Sequence, residues 1–288
     1  MKLLVTGGSG LLGSAVVRAA RGRSWEVAAP SRQALDISDP SACSRVFSAE
    51  APDWVIHCAA FTAVDSAEDN SEEAMRLNRN GASNVARAAI ASASGLVHVS
   101  TDYVFDGAKQ EPYLPDDPVS PIGAYARSKV AGEDAVTAVY NEEGAQAKCL
   151  IVRTGWLYGA GRRDFVDLVL DRMATGETLR IVDDQWGRPT WTRNVATVML
   201  DLIDRGTNGI VHVNDSGIAT WHEFAEAILA HAGMSGRPER ISSRAFGARA
   251  ERPLYSVLDL AATEGELQRE MMPWREALRM HLDERSSA

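Results

Sequence analysis

Tyr125 and Lys129 stand four positions apart in Tyr125-Ala126-Arg127-Ser128-Lys129, a stretch that reads as the opening of a helix. Residues i and i+4 share a helix face, so a phenol and an ammonium are expected side by side. A nearby cation favours phenolate and pulls a Tyr pKa down from about 10. Tyr125 is therefore a candidate general acid or base, with Lys129 as its tuner. A second chemical signal is the turn Gly7-Gly8-Ser9-Gly10-Leu11-Leu12-Gly13, which satisfies both GxGxxG and GxxGxxG. It lies between the apolar run Leu3-Leu4-Val5 and a helical pattern from Ala15 to Ala20. Glycines there let the backbone approach a pyrophosphate, and the helix start offers free N–H groups. A third signal is Ser31-Arg32, after a strand at Trp25–Ala29. An NAD site usually carries an acidic residue at this place. Ser31 and Arg32 suit a 2′-phosphate instead, since a guanidinium forks onto phosphate oxygens. The reading favours NADPH and keeps NADH as the alternative.

These groups need a sheet edge to bring them together. Asp53–His57 reads as a buried strand that runs into Cys58-Ala59-Ala60-Phe61-Thr62, mostly small residues that leave room for a ligand. Ser71–Ala91 follows a long helical pattern, with Ser71 as N-cap and acids in its first turn. Leu96–Ser100 is a further strand, and Thr101-Asp102-Tyr103 come directly after it at its carboxyl edge. A Pro-rich loop, Pro112–Pro121, leads to the Tyr125 helix, and a strand follows at Lys148–Arg153. Strands alternating with helices predict an α/β fold, a Rossmann-type doubly wound parallel sheet. Beyond Thr154-Gly155-Trp156 the loops gather Gly, Trp and Arg, as in Gly161-Arg162-Arg163, Asp184–Thr190 and Glu251–Ser256. Helices are expected at 164–173, 192–204, 221–231 and 274–283. Residues 1–155 are thus read as an NAD(P)-binding domain. Residues 156–288 are read as mainly a smaller substrate-binding lobe. The boundary is soft and the segments interleave.

Composition narrows the partners. A chain of 288 residues, 45% hydrophobic and 24% charged, matches an ordinary soluble globular protein. Its net charge of −9 argues against nucleic acid and requires local cations around any anionic ligand. Cys43, Cys58 and Cys149 form neither a disulfide framework nor a CxxC site. No signal-peptide pattern and no apolar run of spanning length is read, so no membrane is expected and the cytoplasm is. His222-Glu223 lacks a second His, because position 226 is Glu, and no serine lies in a GxSxG elbow. No metal site is assigned.

Taken in order, the Gly turn, the Ser-Thr strand end and YxxxK resemble the extended short-chain dehydrogenase/reductase family. STDYVFDG, PIGAYARSKVAGE, RTGWLYG, DQWGRPT and RPLYSVLD are similar, more narrowly, to the dTDP-4-dehydrorhamnose reductases, from Lys2 to about Trp274. That resemblance implies NAD(P)H-dependent reduction of the C4 keto group of dTDP-4-dehydro-6-deoxy-L-mannose. It implies that Tyr125 protonates the C4 oxygen, that Lys129 holds the nicotinamide ribose, and that Thr101 hydrogen-bonds the same oxygen. Gly7, Gly10, Leu11, Leu12 and Gly13 match the pyrophosphate turn. Asp36-Ile37 matches the adenine-contacting pair, and Ala60-Phe61-Thr62 the later cofactor loop. Asp102 and Trp156 match substrate contacts; Tyr103 is grouped with them, and Arg252 is assigned to a diphosphate or deoxynucleotide. Ala126 stands where the family usually has Gly. Some members bind Mg²⁺ at a dimer interface; that site is not placed here, and monomer or homodimer stays open. Three rivals remain: a sugar-nucleotide 4,6-dehydratase, an epimerase or a reductase acting on another 4-keto sugar, and a non-catalytic NADP-binding regulatory subunit. Tyr103 stands where the dehydratases have a second carboxyl.

Overall fold

The structure, a computed structural model, describes residues 1–143, 148–234 and 236–286. Its centre is a sheet of six strands. Five of them are β1 (Lys2–Thr6), β2 (Glu26–Ala28), β3 (Trp54–His57), β4 (Gly95–Thr101) and β5 (Cys149–Thr154); the sixth is Gly209–His212. In space the order runs Gly209–His212, β5, β4, β3, β1, β2, with every pairing parallel. The chain leaves β1 toward β2 on one side and returns to β3 on the other. That reversal opens a crevice at the carboxyl ends of β1 and β3, where ligands bind in such sheets.

Side chains alternate across a strand, and β1 shows how this builds two layers. Leu3 and Val5 pack on one face with Val16 of α1 (Leu11–Gly22) and with Val195 and Met199 of the helix Thr192–Arg205. Leu4 packs on the other face with Phe47, Val85 and Val136, from the helices Pro40–Glu50, Ala82–Ala91 and Ala124–Glu143. Burying both faces explains why the strands read as continuous apolar runs. A third core is aromatic and built around Tyr158, Phe224 and Trp274, between the helices Phe165–Ala174, Trp221–His231 and Trp274–Ser286. Among the described residues, no helix is long and apolar enough to cross a membrane.

The sequence predicts one regular helix over 71–91, and here the structure differs. Ser71–Met75 and Ala82–Ala91 are α-helical, while Arg76–Gly81 between them forms a π-turn. Asn70 rather than Ser71 occupies the N-cap position, and it makes no side-chain cap bond. The π-turn lies against the Tyr125 helix at Gly132, where an added Cβ would come within 2.4 Å of the Asn78 carbonyl oxygen. Only a glycine lets the two helices approach this closely. The strand Gly209–His212 was not among the expected elements, and it extends the main sheet beside β5.

Candidate active site

The glycine turn is built by steric exclusion. Gly7 has φ +69°, and a Cβ on it would lie 2.8 Å from the Ala59 nitrogen. A Cβ on Gly13 would lie 2.2 Å from the Gly7 carbonyl oxygen. The turn therefore folds tightly onto the end of β3 and carries Gly10 to the N-cap of α1. Gly10 has no side chain with which to cap the helix, so the first N–H groups of α1 are available to an anion.

This turn opens one end of a cavity of about 860 Å³. Gly7, Gly10, Leu11, Leu12, Gly13, Arg32, Asp36, Ile37, Ala60 and Thr62 all line it, and so do Thr101, Asp102, Tyr103, Tyr125, Lys129 and Trp156. Ser31, Phe61 and Arg252 do not. The exposed Ser31 hydroxyl accepts from the Ala34 N–H within its own turn. Phe61 packs beside Tyr125 in a small apolar cluster with Ala67, Ala74 and Ala124. Arg252 holds Asp65 through two hydrogen bonds of 3.0 and 2.7 Å, so its charge is already matched. Asp36 accepts from both the N–H and the hydroxyl of Ser38, and these bonds hold its carboxyl below the usual range.

Tyr125 and Lys129 do face the same cavity, yet the tuning expected from their spacing is absent. Burial pushes the Tyr125 phenol up to about 12; the Thr101 hydroxyl opposes this and the Asp102 carboxylate adds to it. Lys129 is not among the groups that act on the phenol. Its ammonium donates instead to the Val99 carbonyl at 2.6 Å. Burial also brings Lys129 down to about 8, against the attraction of Glu133 and Cys58. Desolvation is the largest influence on each of the two groups. Tyr103 packs edge-on to Tyr125, with ring centroids 6.3 Å apart.

Thr101 and Asp102 end β4. The Thr101 hydroxyl donates to Asp102 Oδ1 at 3.1 Å, and Ser256 donates to Oδ2 at 2.6 Å. Burial nonetheless raises the Asp102 carboxyl to about 6. Below β4, Glu133 accepts from the Ser100 hydroxyl and from Arg153, in an ion pair of 2.8 Å that is almost wholly buried. This pair ties the Tyr125 helix to β4 and β5. Trp156 has φ +54° and stacks on Trp221 with centroids 3.8 Å apart and planes 5° from parallel. Gly187 clears space for that ring; a Cβ there would meet it at 2.2 Å.

Sequence reasoning missed several of these groups. Asn78, on the π-turn, accepts from the Phe61 N–H at 2.7 Å and donates to the Phe61 carbonyl at 3.0 Å and to the Ser128 hydroxyl at 2.8 Å. It links the cofactor loop to the Tyr125 helix, and no local signal marks it. Ser256, Glu133 and Trp221 went unassigned because their partners are distant in sequence. Among the described residues, no cluster of three or more His, Cys, Asp or Glu side chains could hold a metal ion.

The cradle fits a dinucleotide: a turn that excludes Cβ atoms, an uncapped helix start and Arg32 all border one cavity. The Gly turn and α1 would hold its diphosphate, and Arg32 a 2′-phosphate. Known proteins point the same way. The dTDP-4-keto-6-deoxy-D-glucose reductase of Streptomyces niveus is 38% identical over 88% of this chain and 87% of its own length. The dTDP-4-dehydrorhamnose reductase of Mycobacterium tuberculosis (strain CDC 1551 / Oshkosh) is 39% identical over 89% of this chain and 84% of its own. The crystal structure of dTDP-4-dehydrorhamnose reductase from Bacillus anthracis str. Ames, in complex with NADP, superposes with a TM-score of 0.94 at 34% identity, covering 98% of this chain and 99% of that one. The model of the RmlD substrate binding domain matches residues 1–287, and the chain belongs to that family.

Proposed function

We propose that this protein reduces the C4 keto group of dTDP-4-dehydro-6-deoxy-L-mannose to dTDP-L-rhamnose, with NADPH as the reductant. The observation that carries this reading is that Tyr125, Thr101 and Lys129 line the same cavity as the glycine turn. The dinucleotide supplies the hydride that reaches C4. Tyr125 supplies the proton. With a pKa raised to about 12, the phenol is fully protonated near neutral pH, which suits a donor to the forming alkoxide. Thr101 lies beside that phenol, and its single hydroxyl proton, donated to Asp102 Oδ1 here, would turn to the C4 oxygen and stabilise the charge that grows there. Lys129 is cationic near pH 7, and the donors not used by Val99 would hold the ribose of the nicotinamide. The stacked Trp156 and Trp221, with Asp102, border the sugar. Arg252, paired with Asp65 beside Tyr103, orders that rim. Residues 1–155 mainly carry the cofactor and 156–288 the nucleotide sugar. The reaction is placed in the cytoplasm, in keeping with three free cysteines.

Relatives named for different 4-keto sugars match at nearly the same identity, so the choice of sugar is the finer part of this proposal. The test is NADPH oxidation at 340 nm with dTDP-4-dehydro-6-deoxy-L-mannose and dTDP-4-keto-6-deoxy-D-glucose in parallel, with Tyr125→Phe as control. The expected result is faster turnover of the first sugar and a kcat loss of about 100-fold or more in the variant. Preference for the second sugar moves the assignment to that substrate. No oxidation with either sugar refutes the proposed reaction.

A further inference from the structure

The loop Gly159–Arg163 covers the outer end of the glycine turn, and it carries two arginines that no role above absorbs. Gly159 and Gly161 have φ +156° and +116°, which let the loop fold back over α1. A Cβ on Gly161 would come within 3.0 Å of Ser14 Oγ, so the loop lies against the first turn of that helix. Arg18 holds it there by donating to the Ala160 carbonyl at 3.2 Å. Asp164 pins the other end: its carboxylate accepts from Gly159, Val166 and Asp167 N–H groups at 2.7–3.1 Å. The carboxylate is thus engaged by its own backbone and helix.

The charges around this loop are mostly matched. Arg163 pairs with Asp171 at 2.6 Å, although both side chains are more than half exposed. Arg23, Arg193 and Arg285, in the neighbouring cavity of about 1050 Å³, pair with Asp201, Glu284 and Asp167. Arg162 lines both cavities, and among the described residues it has neither an ion-pair nor a hydrogen-bond partner. A chain of net charge −9 repels a polyanion at long range, so an unmatched cation at the mouth of a phosphate-binding cleft has a strong local effect.

We propose that Arg162 is a diphosphate-binding residue, held by the Gly159–Arg163 loop over the start of α1. This rests on the reading of the cleft as a dinucleotide and nucleotide-sugar site, which contains two such diphosphates. A guanidinium matches phosphate oxygens in a fork, and its bonds to them are charge-assisted.

The test is direct binding, which needs no turnover. NADPH, ADP-ribose and dTDP are titrated calorimetrically into wild type, Arg162→Gln, Arg162→Lys and Arg163→Gln. Arg162→Gln is expected to weaken NADPH and ADP-ribose about tenfold, with Arg162→Lys recovering part of the loss. Arg163→Gln is expected to change affinity by about twofold at most, because its charge is already shared with Asp171. Weakened NADPH with unchanged dTDP assigns the diphosphate to the dinucleotide. Weakened dTDP with unchanged NADPH assigns it to the nucleotide sugar. Either outcome supports the proposal. If Arg162→Gln melts at the wild-type temperature and binds all three ligands within about twofold of wild type, the proposal is overturned. An equal loss in Arg163→Gln also overturns it. A wild type that binds NADPH but reduces no sugar refutes the proposed reaction and leaves these binding results standing.

Discussion

Asn78→Ala separates the packing of the cofactor loop from its chemistry. The side chain is 2% exposed and makes three hydrogen bonds, two to the Phe61 backbone and one to the Ser128 hydroxyl. Ser128 still donates to the Tyr125 carbonyl at 2.7 Å, so its own loss is small. The Phe61 N–H and carbonyl lose their partners in a part-buried place. With roughly 1 kcal/mol for each bond, the variant is expected to lose about 3 kcal/mol of stability. That corresponds to a melting temperature lowered by about 6 °C in a chain of this length. Urea unfolding reads the stability, and NADPH fluorescence reads the binding. Released from Asn78, the Ala60-Phe61-Thr62 loop should also bind NADPH several-fold more weakly. Ser128→Ala, which leaves both Phe61 bonds in place, should cost about 1 kcal/mol and leave NADPH binding unchanged. The cycle of single and double variants should give a coupling of about 1 kcal/mol. A loss below about 1 kcal/mol in Asn78→Ala, with NADPH affinity intact, would refute the reasoning.

Two further outcomes follow from the geometry. Gly13→Ala places a methyl 2.2 Å from the Gly7 carbonyl oxygen, against the Gly7–Gly8 backbone, so the turn must open; NADPH affinity should fall at least about tenfold, with about 1–3 kcal/mol of stability lost, and a wild-type Kd would contradict the cradle. Asp215 is fully buried, accepts from Trp191 N–H and Asn194, and has its carboxyl pushed up to about 7 by burial. The native state therefore holds a proton that the unfolded chain releases above about pH 4, and stability should fall as pH rises from about 4 to 7. Each pH unit in that window is worth on the order of 1.4 kcal/mol for this group. Asp215→Asn should flatten the slope in urea midpoints between about pH 4 and 7, and an unchanged slope would show that Asp215 does not carry it.

The sheet and the cofactor turn were legible because their signals are local. β1, the Gly turn and α1 are contiguous, so apolar runs and glycine spacing suffice to place them. The Tyr125 helix and the strand end at Thr101 likewise follow from short patterns. The strand Gly209–His212 had a weaker signal, because only two of its residues are buried. The π-turn had none, because the extra residue in Arg76–Gly81 answers to Gly132 on another helix.

The sequence by itself determined which residues could do chemistry and which backbone could approach a phosphate. Those are properties of residue type and of spacing within one element. The tertiary structure alone decided their electrostatics and their partners. The four-residue spacing of Tyr125 and Lys129 predicts a lowered phenol pKa; burial, which no spacing reveals, raises it to about 12. Arg252 and Asp65 pair across 187 positions, and Ser256 reaches Asp102 across 154. Desolvation and ion pairing depend on what packs around a group in space, and that is set by the whole fold rather than by the neighbours along the chain.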